Sequence, residues 1–173
     1  MTSPAQAQST RSTFNPLTTD PQLIRALQTA VCGVLQTLAP TTSVKLEEPF
    51  TKRADTVLDS EIGAKLEIRS KTFDGCMVLN FPTGAYLSLV EQLHGQLYSA
   101  ITEANDDAAA ELLNMIRAGI RKLITDYIIE KNAPESLRGP TTQKMLRGYQ
   151  CVVAIPFSAF NSKFHLELGV TYR

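Results

Sequence analysis

The stretch from Asp106 to Lys131 constrains the chain most, because its apolar residues recur with the period of a helix. At about 100° per residue, Leu112, Leu113, Ile116, Ile120, Leu123, Ile124 and Tyr127 fall on one side. Asp107, Glu111, Asn114, Ala118, Arg121, Lys122 and Thr125 fall on the other. An apolar stripe of that width is what a helix buries against a second layer. The rest of the chain has to supply that layer.

Much of it reads as strand. Val44 and Leu46 alternate with Lys45 and Glu47 up to Pro49, which predicts a short strand followed by a polar loop over Thr51–Asp59. Ile62, Ala64, Leu66 and Ile68 alternate with charged neighbours, and Cys76–Phe81 is a second run. Asp74-Gly75 between them predicts a hairpin turn. Two longer strands are expected near the end, about Gln143–Pro156 and Lys163–Tyr172. In the last, Phe164, Leu166, Leu168 and Val170 alternate with His165, Glu167 and Gly169, so His165 belongs on the polar side.

Two further helices are expected. Asp20-Pro21 has the chemistry of an N-cap and first helical residue. Leu23, Ile24, Leu27, Val31, Val34, Leu35 and Leu38 then keep helical spacing until Pro40. With Arg25 almost its only charge, this helix predicts cover on both sides or a partner on one. Ala85–Leu97 returns to the same spacing, and Asn132–Pro140 reads as a loop. Helices with antiparallel strands give an α+β domain over residues 20–173, a mostly antiparallel sheet with long helices packed on it. Residues 1–19 carry few large apolar groups and predict a mobile polar tail.

Composition narrows the function classes. Of 173 residues, 43% are hydrophobic, enough for a sizeable core, and acidic and basic side chains balance to a net charge of zero. That balance argues against a dedicated nucleic-acid surface, which needs excess positive charge. No apolar run approaches the roughly 18 residues expected of a membrane span, and the first residues lack a signal-peptide layout. The expectation is a cytoplasmic protein. Cys32, Cys76 and Cys151 are an odd number and widely spaced, which reads as buried thiols and no metal cluster.

The polar side of the Asp106–Lys131 stretch is where function can reside. Asp107, Glu111 and Asn114 are four and three residues apart and so neighbours along one line. The line has no neighbouring histidine in sequence, no nucleophile and no glycine-rich phosphate loop. Three ligands on one straight helix face do not enclose a cation, so no metal site is expected. Polar residues on the outer face of an amphipathic helix usually do nothing but stay solvated. Asn114 is the exception in kind, a poor helix former in the middle of the pattern, at a cost of a few tenths of a kcal/mol relative to alanine.

Asp107-x-x-x-Glu111-x-x-Asn114 with Met115-Ile116 resembles the signature of the CheC–CheX–FliY phosphatases of bacterial chemotaxis. The order of the surrounding segments is similar to the CheX branch: Gly75-x-Met-Val-Leu-Asn-Phe-Pro82, a helix, Glu111-Leu-Leu-Asn114, Pro134, Gly139, and Val-Ala-Ile-Pro-Phe157. The resemblance covers about residues 20–173. Ala118 and Arg121 stand where this family usually has glycine and lysine. Alanine is still small and arginine keeps the charge. The first helix carries no E-x-x-N, so one site per chain is expected.

The resemblance implies a substrate, the phospho-aspartate of a CheY-like response regulator, and a mechanism that needs no nucleophile from this chain. Asn114 would orient the attacking water and Glu111 would engage the regulator's lysine, as the two catalytic residues. Asp107, Ala118 and Arg121 would contact the partner. The chain would bring no cofactor of its own, since Mg²⁺ is held by the regulator. It would also form a homodimer, for which the first helix and the terminal strands are candidate surfaces. The alternative is a non-catalytic, switch-like binding module of the same fold.

Overall fold

The computed structural model describes residues 15–125, 128–129 and 132–173. The chain begins there with a single helical turn, α1 (Pro16–Thr19), whose Leu17 N–H donates to Asn15 Oδ1 at 3.0 Å. Asn15 also donates to Thr51 Oγ1 at 2.8 Å, and Pro16 is buried. The expected polar tail up to residue 19 is therefore cut short. Its last residues are folded, and residues 1–14 lie outside the described part.

Helix α2 (Pro21–Leu38) starts as its sequence dictates, with Asp20 accepting from the Leu23 amide and Pro21 in the first turn. Leu23, Leu27, Val31 and Leu35 are fully buried, while Arg25, Thr29, Gly33, Gln36 and Thr37 remain exposed. The expectation of cover on both sides does not hold. One face packs and the other is lined by small and polar groups.

Strands β1 (Lys45–Leu46), β2 (Phe50–Lys52), β3 (Ile62–Arg69), β4 (Phe73–Phe81), β5 (Ile128–Ile129), β6 (Glu135–Arg138), β7 (Cys151–Ala159) and β8 (Ser162–Tyr172) form one antiparallel sheet. Its centre runs β7–β8–β4–β3. The short strands β1 and β2 lie along the outer edge of β7, and β5 and β6 along that of β3. Strand β2 occupies part of the expected Thr51–Asp59 loop. Strands β5 and β6 were expected as helix end and loop.

The β3–β4 turn is not at Asp74-Gly75. Arg69 pairs with Asp74 and Ile68 with Gly75 inside the ladder, and the turn falls at Ser70–Thr72. Ser70 Oγ accepts from the Thr72 and Phe73 amides, and Phe73 has to turn inward, where it is fully buried. Gly75 answers a different need. A Cβ there would lie 2.8 Å from the Gly169 carbonyl oxygen, so its place in the strand is one of close backbone approach.

Helices α3 (Thr83–His94) and α4 (Ala108–Leu123) cover one face of the sheet together with α2. Helix α3 ends before Leu97, because Gly95 takes the left-handed conformation and returns its N–H to Glu91. Leu97 is left 76% exposed. Under the helices, Phe81, Phe164 and Phe157 stack across three strands, at 4.8 and 5.3 Å between ring centroids. Phe164, Leu166, Leu168 and Val170 all enter this core, as their alternation requires.

The opposite face is smaller. Cys76, Val78, Leu137, Leu146 and Val152 gather beneath the chain between β6 and β7. That segment opens not as a strand at Gln143 but as α5 (Pro140–Lys144), with Pro140 in its first turn. Beside this cluster Lys52 Nζ meets Glu167 Oε1 at 2.7 Å with both side chains 6% exposed, and Asn80 Nδ2 donates to Glu167 Oε2. His165 shares the face and is half-buried. Cys76 is buried as expected, whereas Cys32 and Cys151 are partly exposed.

Candidate functional site

Helix α4 is shorter than its pattern. Leu112, Leu113, Ile116 and Ile120 are fully buried, but the helix stops at Leu123, which is 49% exposed, and Ile124 turns extended at φ −136°, ψ 126°. Beyond it, Ile128–Ile129 pairs with Ile68 and Arg69 of β3. β-Branched residues suit a ladder, and pairing at the open edge of β3 outweighs their weak helical preference. Tyr127 lies outside the described residues.

The start of α4 is fixed from three directions. Tyr86 of α3 donates its hydroxyl to the Asn105 carbonyl, and burial pushes that phenol's pKa up. The Asn105 side chain is itself buried, accepting from the Thr102 amide and donating to the Ala100 carbonyl, both at 2.9 Å. Asp106 pairs with Arg138 of β6 at 2.8 Å. The connection into α4 is thus held to α3 and to the sheet edge, and α4 presents one defined face to solvent.

On that face stand the residues singled out from sequence. Asp107 occupies the cap position, exposed, and its side chain makes no capping hydrogen bond. Glu111 and Asn114 follow, both exposed, with Ala118 and Arg121 further along. No other part of the described chain covers them. Acidic Glu111 in the first turn and Arg121 and Lys122 in the last match the helix dipole.

Two neighbours escaped the sequence reading. His94, at the end of α3, brings Nε2 to 3.7 Å from Glu111 Oε2, so the stripe does have a neighbouring histidine. Nothing in the spacing of 94 and 111 shows this, because it depends on how α3 packs on α4. Arg117 donates Nη2–H to Asn114 Oδ1 at 2.5 Å and Nη1–H to the Asn132 carbonyl at 2.7 Å. That contact was available in principle, since residues three apart on a helix are neighbours.

Beside the stripe, α2 and α4 leave a groove of about 450 Å³ lined by Gly33, Val34, Met115, Ala118 and Leu123 among others. The helices close up at Gly119, where a Cβ would lie 3.3 Å from that of Ala30. Among the described residues no group of three or more His, Cys, Asp or Glu side chains could hold a metal ion. Among those residues, too, no helix is long and apolar enough to cross a membrane.

No family model and no curated protein matches the sequence. Solved structures do match. A CheC-like superfamily protein from Shewanella sp. PV-4 superposes with a TM-score of 0.74 at 19% identity, over 87% of this chain and 97% of that one. Chemotaxis protein CheX from Vibrio vulnificus gives 0.71 at 18%, over 87% and 99%. The CheX–CheY–BeF3–Mg²⁺ complex from Borrelia burgdorferi gives 0.67 at 15%, over 87% and 97%. The chain has the CheC/CheX fold. Within this CheX-like frame, the Glu111–Asn114 stripe lies on a long helix whose outer side is open, and both side chains are reachable by a macromolecular partner.

Proposed function

We propose that this protein is a phosphatase that accelerates hydrolysis of the phospho-aspartate of a CheY-like response regulator. The observation that carries the reading is the open placement of Glu111 and Asn114 on one face of α4, in a fold shared with CheX. One of the similar structures is a complex of CheX with CheY, BeF3 and Mg²⁺, which supports a CheY-like partner here.

The chemistry suits a site without a nucleophile. An acyl phosphate is already activated, and its Mg²⁺ is held by the regulator. What remains is to place water in line with phosphorus. The Asn114 amide can do this by hydrogen bonding alone, since it needs neither to gain nor to lose a proton. Glu111 would pair with the regulator's lysine and fix the docked pose, which is why its carboxylate has to stay reachable. Asp107, Ala118 and Arg121 flank these two along the same face as partner contacts, with Ala118 small enough to allow close approach.

The alternative of a non-catalytic binding module would be favoured by a covered stripe, and the described chain leaves it open. Assembly as a homodimer belongs to the same proposal, though not through the closing strands. Strand β8 is internal and the outer edge of β7 is taken by β1 and β2. Leu46 and Phe50 on those edge strands, 52% and 40% exposed, are the better candidates for contact with a second copy.

The test is turnover. Mixing the protein with a phosphorylated CheY-like regulator and Mg²⁺ should speed phosphate release. Glu111→Ala should raise KM about tenfold or more by leaving the regulator's lysine unpaired. A Glu111→Ala protein with unaltered KM and kcat would refute its assigned role.

A further inference from the structure

The amide of Asn114 has two unlike ends, and a water molecule meets a different partner at each. We propose that Arg117 is a positioning residue for Asn114, fixing its amide with Oδ1 turned toward the guanidinium. The kinetic part of this inference rests on the phosphatase reading. The orientation itself does not.

A guanidinium carries five N–H donors and no acceptor, so only the oxygen end of an amide can face it. With Nη2–H donating to Asn114 Oδ1 at 2.5 Å, the Nδ2 end has to point the other way. The donor is charged, which makes the contact stronger than one between neutral groups. It is also anchored at its other end, where Nη1–H reaches the Asn132 carbonyl at 2.7 Å. Arg117 is half-buried where Asn114 is exposed, so the better-packed side chain holds the freer one.

The consequence is pre-organisation. An amide oxygen has two lone pairs, and one contact with Arg117 leaves the other able to accept from water. An exposed asparagine without such a contact would divide its time between amide orientations, and those with Nδ2 toward the water could not accept a hydrogen bond from it. Lysine in place of Arg117 would keep the charge but lack the planar fork that reaches Asn114 and Asn132 together. The orientation of Asn114 is thereby tied to the segment that leads into β6.

Side-chain amide signals of the full chain in a ¹H–¹⁵N spectrum test the orientation without any regulator. The Asn114 pair is identified by its loss in Asn114→Ala. In Arg117→Ala it should move toward the positions of freely rotating asparagines, while the backbone amides of α2 and β8 hold theirs. Arg117→Lys should move it part of the way. A pair that stays in place in Arg117→Ala overturns the proposal. In turnover, Arg117→Ala should lower kcat roughly tenfold, in line with the sensitivity of in-line attack to small misplacements, with KM within about twofold. Arg117→Lys should recover part of the loss. A raised KM at constant kcat, or a raised kcat, would mean that Arg117 docks the partner or blocks the amide, and either overturns the positioning role. Full turnover in Asn114→Ala would instead remove the phosphatase site and the kinetic consequence with it, with the spectrum still deciding the orientation.

Discussion

Lys52 and Glu167 make a buried ion pair on the sheet face away from the helices, and Asn80 holds the second carboxylate oxygen. Removing one partner leaves the other as an uncompensated buried charge. Lys52→Met should therefore cost about 3–5 kcal/mol in urea unfolding, and the double variant Lys52→Met/Glu167→Gln should recover much of it. The cysteines give a second residue-scale expectation. Burial raises the Cys76 thiol to about 11, and burial pushes up those of Cys32 and Cys151. All three should react slowly with a thiol reagent at pH 8, with Cys76 slowest because it is also the most buried. At this scale the sequence was only partly informative. Asn114 stands out as an amide out of place in a helix, whereas three-residue spacing makes Arg117 its neighbour without showing that the two side chains bond. The ion pair joins residues 115 positions apart and could not be read without the register of β2, β7 and β8.

Elements were legible where one local signal decided them. Asp20-Pro21 starts α2, and Phe164–Val170 alternates into the core. They were misread where two signals competed. Asp74-Gly75 has turn chemistry, but Phe73 has to be inside and Gly75 has to approach Gly169, so the turn moved to Ser70–Thr72. Helix periodicity continues past Leu123, yet the exposed edge of β3 draws Ile128–Ile129 into the sheet. Helix–helix contact supplies an element-scale prediction. Gly119→Val puts branched carbons against Ala30 and should destabilise by about 1–3 kcal/mol, measured by thermal or urea unfolding. Because α2 and α4 would be pushed apart beneath Ala118, the same variant should also weaken regulator binding.

For the molecule as a whole, the α+β class and the antiparallel sheet followed from periodicity, whereas the fold family and the site came from a resemblance in ordered segments. Physical pattern alone left Glu111 and Asn114 as solvated residues, since nothing in their spacing distinguishes a working face from a wet one. Stability should carry a mark of the second sheet face. Burial lowers the pKa of His165, so the folded protein favours the neutral imidazole. The stability this gives is complete above the ordinary histidine range near 6.5 and is lost as pH falls from there through the lowered folded value. Unfolding midpoints between pH 7.5 and 5.5 should therefore drop more in the natural protein than in His165→Gln. The central claim concerns Asn114, and it is tested most directly by phosphate loss from a phosphorylated CheY-like regulator with the natural protein and with Asn114→Ala. The account predicts that Asn114→Ala still binds the regulator but loses acceleration by on the order of 100-fold, and an Asn114→Ala protein that hydrolyses at the natural rate would contradict it.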